Sequence, residues 1–148
     1  MVFPHMMEIV YRASDIMKEP ITVSKNTKIR EAIARIINEG IGAIVVVDDN
    51  DKPIGIVTKR DLLWAIIYSG KNIEEDTVDS IMSKQLITID PDTELTDIVS
   101  IMTRNNISHL PVVEDGRLVG IISDRDLVEA LNDILNMFRA EEIRATGE

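Results

Sequence analysis

Two stretches of this chain place a hydroxyl and a carboxylate three residues apart behind the same apolar lead. One is Gly55-Ile56-Val57-Thr58-Lys59-Arg60-Asp61, the other Gly120-Ile121-Ile122-Ser123-Asp124-Arg125-Asp126. Glycine, two aliphatics and a hydroxyl read as a strand ending where a helix begins. The first N–H groups of a helix lack intrahelical acceptors and carry the positive end of its dipole, so such a junction suits an anion. The same spacing has a second meaning. A Ser or Thr followed three residues on by an acid is a capping box, in which the two residues satisfy those N–H groups themselves. The two roles are compatible, because a hydroxyl that caps an empty junction is free to turn toward phosphate. Lys59, Arg60 and Arg125 fall in the first helical turn, where a cation is unfavourable unless an anion is bound. Asp124 stands at the position matching Lys59 and repels one.

Other residues with chemical potential are sparse. There is no Cys, which removes disulfides, thiolate catalysis and Cys-based metal sites. Of the two His, His5 sits in the N-terminal segment, and His109 opens the run His109-Leu110-Pro111 at the position matching Ala43. No metal site is expected. No Walker loop and no nucleophile beside a base is present, so the chain reads as a non-enzyme. Nucleotide hydrolysis by Asp124 and Asp126 is the catalytic alternative. Acidic residues outnumber basic ones 26 to 16, for a net charge of −10, the wrong sign for a general nucleic-acid surface. No apolar run approaches the roughly 18 residues needed to span a membrane. Residues 1–11 lack the basic and apolar regions of a secretory signal. A cytoplasmic location is expected.

The junctions belong to a longer repeat. Asp15-Ile16-Met17 returns as Ser80-Ile81-Met82, and both Met17 to Met82 and Asp61 to Asp126 span 65 residues. An internal repeat of this length is two copies of one supersecondary unit. In copy one, Ile21–Val23 reads as a strand. Thr27–Glu39 reads as a helix with Ile29, Ala32, Ile33, Ile36 and Ile37 inward. Gly40 supplies its left-handed stop. Ala43–Val47 and Pro53–Val57 form a hairpin, and Thr58 opens a helix with Leu62, Leu63, Ile66 and Ile67 on one face. In copy two the strand is Leu86–Ile89 and the helix Thr93–Asn105, with Leu95, Ile98, Val99 and Met102 inward and Asn106 in the place of Gly40. Leu110–Val113 and Leu118–Ile122 make the hairpin. The last helix runs from Asp124 through Leu127, Leu131, Ile134, Leu135 and Phe138, and Glu141–Glu148 is expected to fray. Hydrophobic residues make up 45% of the chain but aromatics only 3%, so the core is aliphatic. Trp64 and Tyr68, one helical turn apart, are expected between helices, with a self-association surface as the alternative. Met17, Met82, Met102 and Met137 read as gap-filling core.

These residues resemble a tandem pair of cystathionine-β-synthase (CBS) domains, a Bateman module. The likeness rests on the Asp/Ser-Ile-Met pair, the β-α-β-β-α order, Leu110-Pro111-Val112-Val113 and the doubled Gly-x-x-Thr/Ser-x-x-Asp. It covers residues 13–68 and 78–138, leaving 1–12 as an N-terminal segment, 69–77 as a linker and 139–148 as a tail. The resemblance implies an α/β (α+β) fold of two repeats about a pseudo-two-fold axis, sheets facing and helices outside, with two clefts between them. Such clefts commonly take adenosine-containing ligands, here an AMP, ADP or ATP class nucleotide as a regulatory ligand and no catalytic cofactor. The resemblance assigns Asp61 and Asp126 to ribose and Thr58, Lys59, Ser123 and Arg125 to phosphate. Each cleft borrows strands from the other copy. Ile87, Ser108, His109, Leu110 and Pro111 then complete the Asp61 cleft, and Ile21, Thr22, Gly42, Ala43 and Ile44 the Asp126 cleft. Tighter phosphate binding is expected at the Asp61 cleft, which combines Lys59 with His109. The likeness also implies regulation of an effector protein and a homodimer, with no nucleic-acid or membrane partner. A dimerising scaffold with non-binding clefts is the alternative.

Overall fold

The computed structural model describes residues 11–146; His5 and the rest of residues 1–10 lie outside them. The elements are α1 (Ala13–Ile16), β1 (Thr22–Val23), α2 (Ile29–Glu39), β2 (Ala43–Val47), β3 (Pro53–Thr58), α3 (Lys59–Ile67), a 3₁₀ turn (Val78–Ser80), α4 (Leu95–Asn105), β4 (His109–Glu114), β5 (Arg117–Ser123) and α5 (Asp124–Thr146). The chain is a mixed α+β protein with small sheets.

Both long interior helices end as their sequences dictate. Gly40 (φ 63°, ψ 36°) and Asn106 (φ 51°, ψ 48°) take the left-handed conformation that closes α2 and α4. Their starts differ from expectation, at Ile29 and Leu95 rather than Thr27 and Thr93. Neither Lys28 nor Glu94 caps with its side chain. Distant carbonyls take the orphan N–H groups instead. Ile29 N–H donates to Asp76 O and Arg30 N–H to Ile73 O, both at 3.0 Å, and Leu95 N–H donates to Tyr11 O at 2.8 Å.

The chain divides into two compact units that cut across the repeats. The first unit is Glu19–Thr88 with Val113–Val119; the second takes the described residues up to Lys18, then Ile89–Val112 and the chain from Gly120 on. In the first, β2 pairs in parallel with β1 and antiparallel with β3. Its core joins Val23, Ile29, Ala32, Ile36, Ile44, Val46, Val57, Leu62 and Val78. In the second, Ala13, Ile16, Ile98, Met102, Leu110, Val112, Ile122 and Ala130 are buried. Each copy's lead-in therefore serves the other copy's remainder. Ala13 N–H donates to Thr93 O at 2.8 Å, and Val78 N–H to Thr27 O at 2.9 Å. Met17 packs over Gly120 and Met82 over Gly55, so these two methionines meet backbone rather than filling a gap.

The strand expected at Leu86–Ile89 shrinks to one parallel bridge, Ile89 to Val112. The cause is Pro111. In copy one, Val45 N–H donates to Ile21 O at 3.1 Å, and Ile21 and Val45 correspond to Ile87 and Pro111. Proline has no N–H, so that rung is missing and only Ile89 N–H to Pro111 O (3.1 Å) remains.

Other corrections concern exposure. Ile37, placed inward by periodicity, is 71% exposed, and Val99, Leu131 and Leu135 are also exposed. Trp64 and Tyr68 stack at 5.0 Å between ring centroids but are 61% and 73% exposed, not buried between helices. Helix α5 does not fray at Glu141 and continues to Thr146. No Gly or Pro interrupts that run, Glu141 pairs with Arg144 at 3.3 Å, and Arg144 suits the negative end of the dipole. No described helix is long and apolar enough to cross a membrane.

Candidate functional site

The two hydroxyl–carboxylate junctions fold into the same geometry. At β3–α3, Asp61 Oδ2 accepts the Thr58 N–H (2.8 Å) and the Thr58 hydroxyl (3.0 Å), and Thr58 Oγ1 accepts the Asp61 N–H at 3.3 Å. At β5–α5, Asp126 Oδ2 accepts the Ser123 N–H (2.8 Å) and hydroxyl (3.0 Å), and Ser123 Oγ accepts the Asp126 N–H at 3.3 Å. The capping reading is therefore realised at both. Each carboxylate spends one oxygen on its cap, and Oδ1 accepts no hydrogen bond among the described residues. Asp61 is half-buried, whereas Asp126 is only 7% exposed.

The loop entering the middle strand of each copy is tied to its own junction. Lys59 N–H donates to Gly42 O at 3.1 Å, and Asp124 N–H to Ser108 O at 2.9 Å. In the first unit this gathers Thr58, Lys59 and Asp61 with Gly42, Ala43 and Ile44, since Ala43 registers opposite Thr58. Ile21 and Thr22 follow through the β1–β2 pairing, Thr22 opposite Val45. In the second unit Arg125 and Asp126 lie on α5, which begins at Asp124 where Ser108 is bonded, and Ser123 ends β5 just before it, with His109, Leu110 and Pro111 next along β4. The Ser108 hydroxyl lies 3.2 Å from His109 Nδ1. Ile87 is half-buried and belongs to the first unit.

One residue of the second junction escapes sequence reading. Lys18 Nζ stands 3.8 Å from Asp126 Oδ1 and 3.4 Å from Glu129 Oε2. Its lead-in is held by a reciprocal main-chain pair, Lys18 N–H to Ile121 O (2.9 Å) and Ile121 N–H to Lys18 O (3.0 Å). No local pattern announces a partner 111 residues away. Only the repeat alignment offers a signal, because the matching residue is Ser83 and the two copies differ there by a charge. Lys18 also supplies the Asp126 junction with a cation, which the expectation of a weaker second site did not include. Among the described residues no group of three or more His, Cys, Asp or Glu could hold a metal ion.

A second feature of the first unit is an open groove of about 440 Å³ between α2 and α3, lined by Ile33, Ile37, Ile41, Leu62, Leu63 and Ile66 with Lys59 at its edge.

Comparison with known proteins agrees with the repeat. The family described as CBS domain matches residues 13–68 and 78–133. An uncharacterized protein of Methanopyrus kandleri is 36% identical over 113 residues, 76% of this chain and 58% of the relative, so the chain spans little more than half of that protein. An uncharacterized 17.7 kDa protein of Acidianus ambivalens is 37% identical over 129 residues, 84% of this chain and 77% of the relative. Among solved structures, the CBS domain pair of protein MJ0100 in complex with 5′-methylthioadenosine and S-adenosyl-L-methionine superposes with a TM-score of 0.78. It is 31% identical, and the match covers 84% of this chain and 98% of that one.

Proposed function

Since this chain belongs to the CBS domain family, as a tandem pair, we propose that its regulatory role is exercised by binding an adenosine-containing nucleotide of the AMP, ADP or ATP class at both junctions. The observation that carries this reading is the duplicated carboxylate whose second oxygen accepts no hydrogen bond among the described residues. A capping box needs only Oδ2; the remaining oxygen is an acceptor of the kind a ribose hydroxyl donates to. The complex of MJ0100 with two adenosine compounds supports the choice of ligand class. In the full proposal Thr58, Lys59 and Asp61 act with Ile87, Ser108, His109, Leu110 and Pro111, and Ser123, Arg125 and Asp126 act with Ile21, Thr22, Gly42, Ala43 and Ile44. Occupancy is signalled to an effector protein in the cytoplasm, and the module works as a homodimer rather than as an enzyme. The exposed apolar face of α3, with Leu63, Ile66, Ile67, Trp64 and Tyr68, favours the homodimer.

Calorimetry with AMP, ATP and S-adenosylmethionine tests the reading. Asp61→Ala and Asp126→Ala should each abolish or weaken one binding event, since hydrogen bonds to a charged group contribute on the order of 1.5–3 kcal/mol each. Unchanged affinity in the double variant would leave the carboxylates as caps alone. The same exposed apolar face also fits a scaffold whose junctions bind nothing, and that reading predicts no thermal stabilisation by any adenosine compound.

A further inference from the structure

We propose that Lys18 and Asp126 act together as a hydroxyl-selective pair, so that the second junction discriminates ribose from deoxyribose more strongly than the first. This rests on the nucleotide reading above and adds a specificity-determining residue to it. Lys18 is placed by main-chain bonds to Ile121, two residues before Ser123, not by its own side chain. Its ammonium lies 3.8 Å from Asp126 Oδ1, too far for a hydrogen bond, so the two charges attract without joining. An oxygen about 2.7 Å from Oδ1 and about 2.9 Å from Nζ closes a triangle on that separation. Such an oxygen must donate to the carboxylate and accept from the ammonium. A hydroxyl does both; a phosphate oxygen only accepts and a base N–H only donates. A phosphate is further disfavoured by Asp126 and Glu129, which both face the ammonium. Asp126 is 7% exposed, so little water competes for its oxygen. Lys18 is 59% exposed, and a pair so placed contributes little to folding.

The first junction provides the internal control. Ser83 makes the same reciprocal bonds there, Ser83 N–H to Ile56 O (2.9 Å) and Ile56 N–H to Ser83 O (3.0 Å). Asp61 forms no ion pair among the described residues. The two sites share their frame, and at the lead-in position they differ by one ammonium, Lys18 against the Ser83 hydroxyl.

The test isolates the second site in the Asp61→Ala protein and compares AMP, 2′-deoxy-AMP and 3′-deoxy-AMP with and without Lys18→Ser. The expected result is a loss of AMP affinity of roughly tenfold or more, the scale of one charged hydrogen bond. The deoxy analogue lacking the gripped hydroxyl should be unaffected. Ser83→Lys in the Asp126→Ala protein should raise the AMP preference at the first site. An equal loss for AMP and both deoxy analogues, or no loss for AMP, overturns the proposal while leaving the site assignment standing. Wild-type AMP affinity in the Asp61→Ala/Asp126→Ala double variant overturns the site assignment and the proposal together.

Discussion

Met82 lies against Gly55 so closely that a Cβ at residue 55 would come within 2.8 Å of its Cγ, and Met17 stands over Gly120 at the same 2.8 Å. The glycine that opens each junction is there for this approach, not for a turn; neither has a positive φ. The clash involves the Cγ of the methionine as well as its tip, and its Cβ is already in tight contact at 3.2 Å (Met82) and 3.0 Å (Met17), so the methionine must turn about χ1 or the lead-in must shift.

Gly55→Ala and Gly120→Ala should each destabilise by about 1–3 kcal/mol, the usual cost of overpacking. Urea denaturation measures it, and Met82→Ala in the Gly55→Ala protein should recover part of the loss. A Gly55→Ala protein as stable as wild type would show that the lead-in shifts freely.

Thr58→Ala and Ser123→Ala each remove a realised helix cap and should cost about 0.5–2 kcal/mol in chemical denaturation. Exchanging Thr58 for Ser retains the acceptor and should cost far less. Equal losses for the Ala and Ser variants would mean that the methyl group, not the hydroxyl, matters at residue 58.

Pro111→Val restores the donor that Val45 has in copy one. The new residue 111 N–H should show slowed hydrogen exchange. Stability should change by less than about 1 kcal/mol, because one new hydrogen bond offsets the lost rigidity of proline. Rapid exchange at that amide would mean that something other than the missing donor limits the pairing to the Ile89–Val112 bridge.

Leu63, Ile67 and Tyr68 expose their apolar area on α3 beside the groove. Sedimentation at micromolar concentration should show a dimer of two-fold symmetry, and Leu63→Glu or Ile67→Glu should yield monomer with unchanged helical circular dichroism. A monomeric wild-type protein removes the dimer from the functional proposal.

Local rules made much of this molecule legible in its sequence. Gly40 and Asn106 end their helices because a left-handed stop depends on one residue, and the capping boxes follow from spacing within one turn. The failures are nonlocal. The starts of α2 and α4 depend on carbonyls of Asp76, Ile73 and Tyr11, and the absent strand at residue 87 depends on the lack of a donor at residue 111. Ile37 follows the helical period, yet α2 has more apolar face than the first unit covers. Lys18 carries no motif at all, and its approach to Asp126 exists only once its lead-in meets β5.

The exchanged lead-ins also constrain how the protein is made. Residues 13–18 leave the ribosome early, but their partners around Gly120 and Ile121 follow roughly 100 residues later, a wait of about 5–20 s at ordinary rates of synthesis. The β1–β2–β3 sheet of the first unit, with Ser83 bonded to Ile56, is able to close as soon as Ser83 has emerged, while the segment holding Ile16 and Met17 still has nowhere to dock. On a polysome, the β5 of a neighbouring nascent chain is as good an acceptor as the chain's own. Crowded synthesis should therefore yield intertwined pairs, each chain lending its first turn to the other, that dilution alone separates slowly.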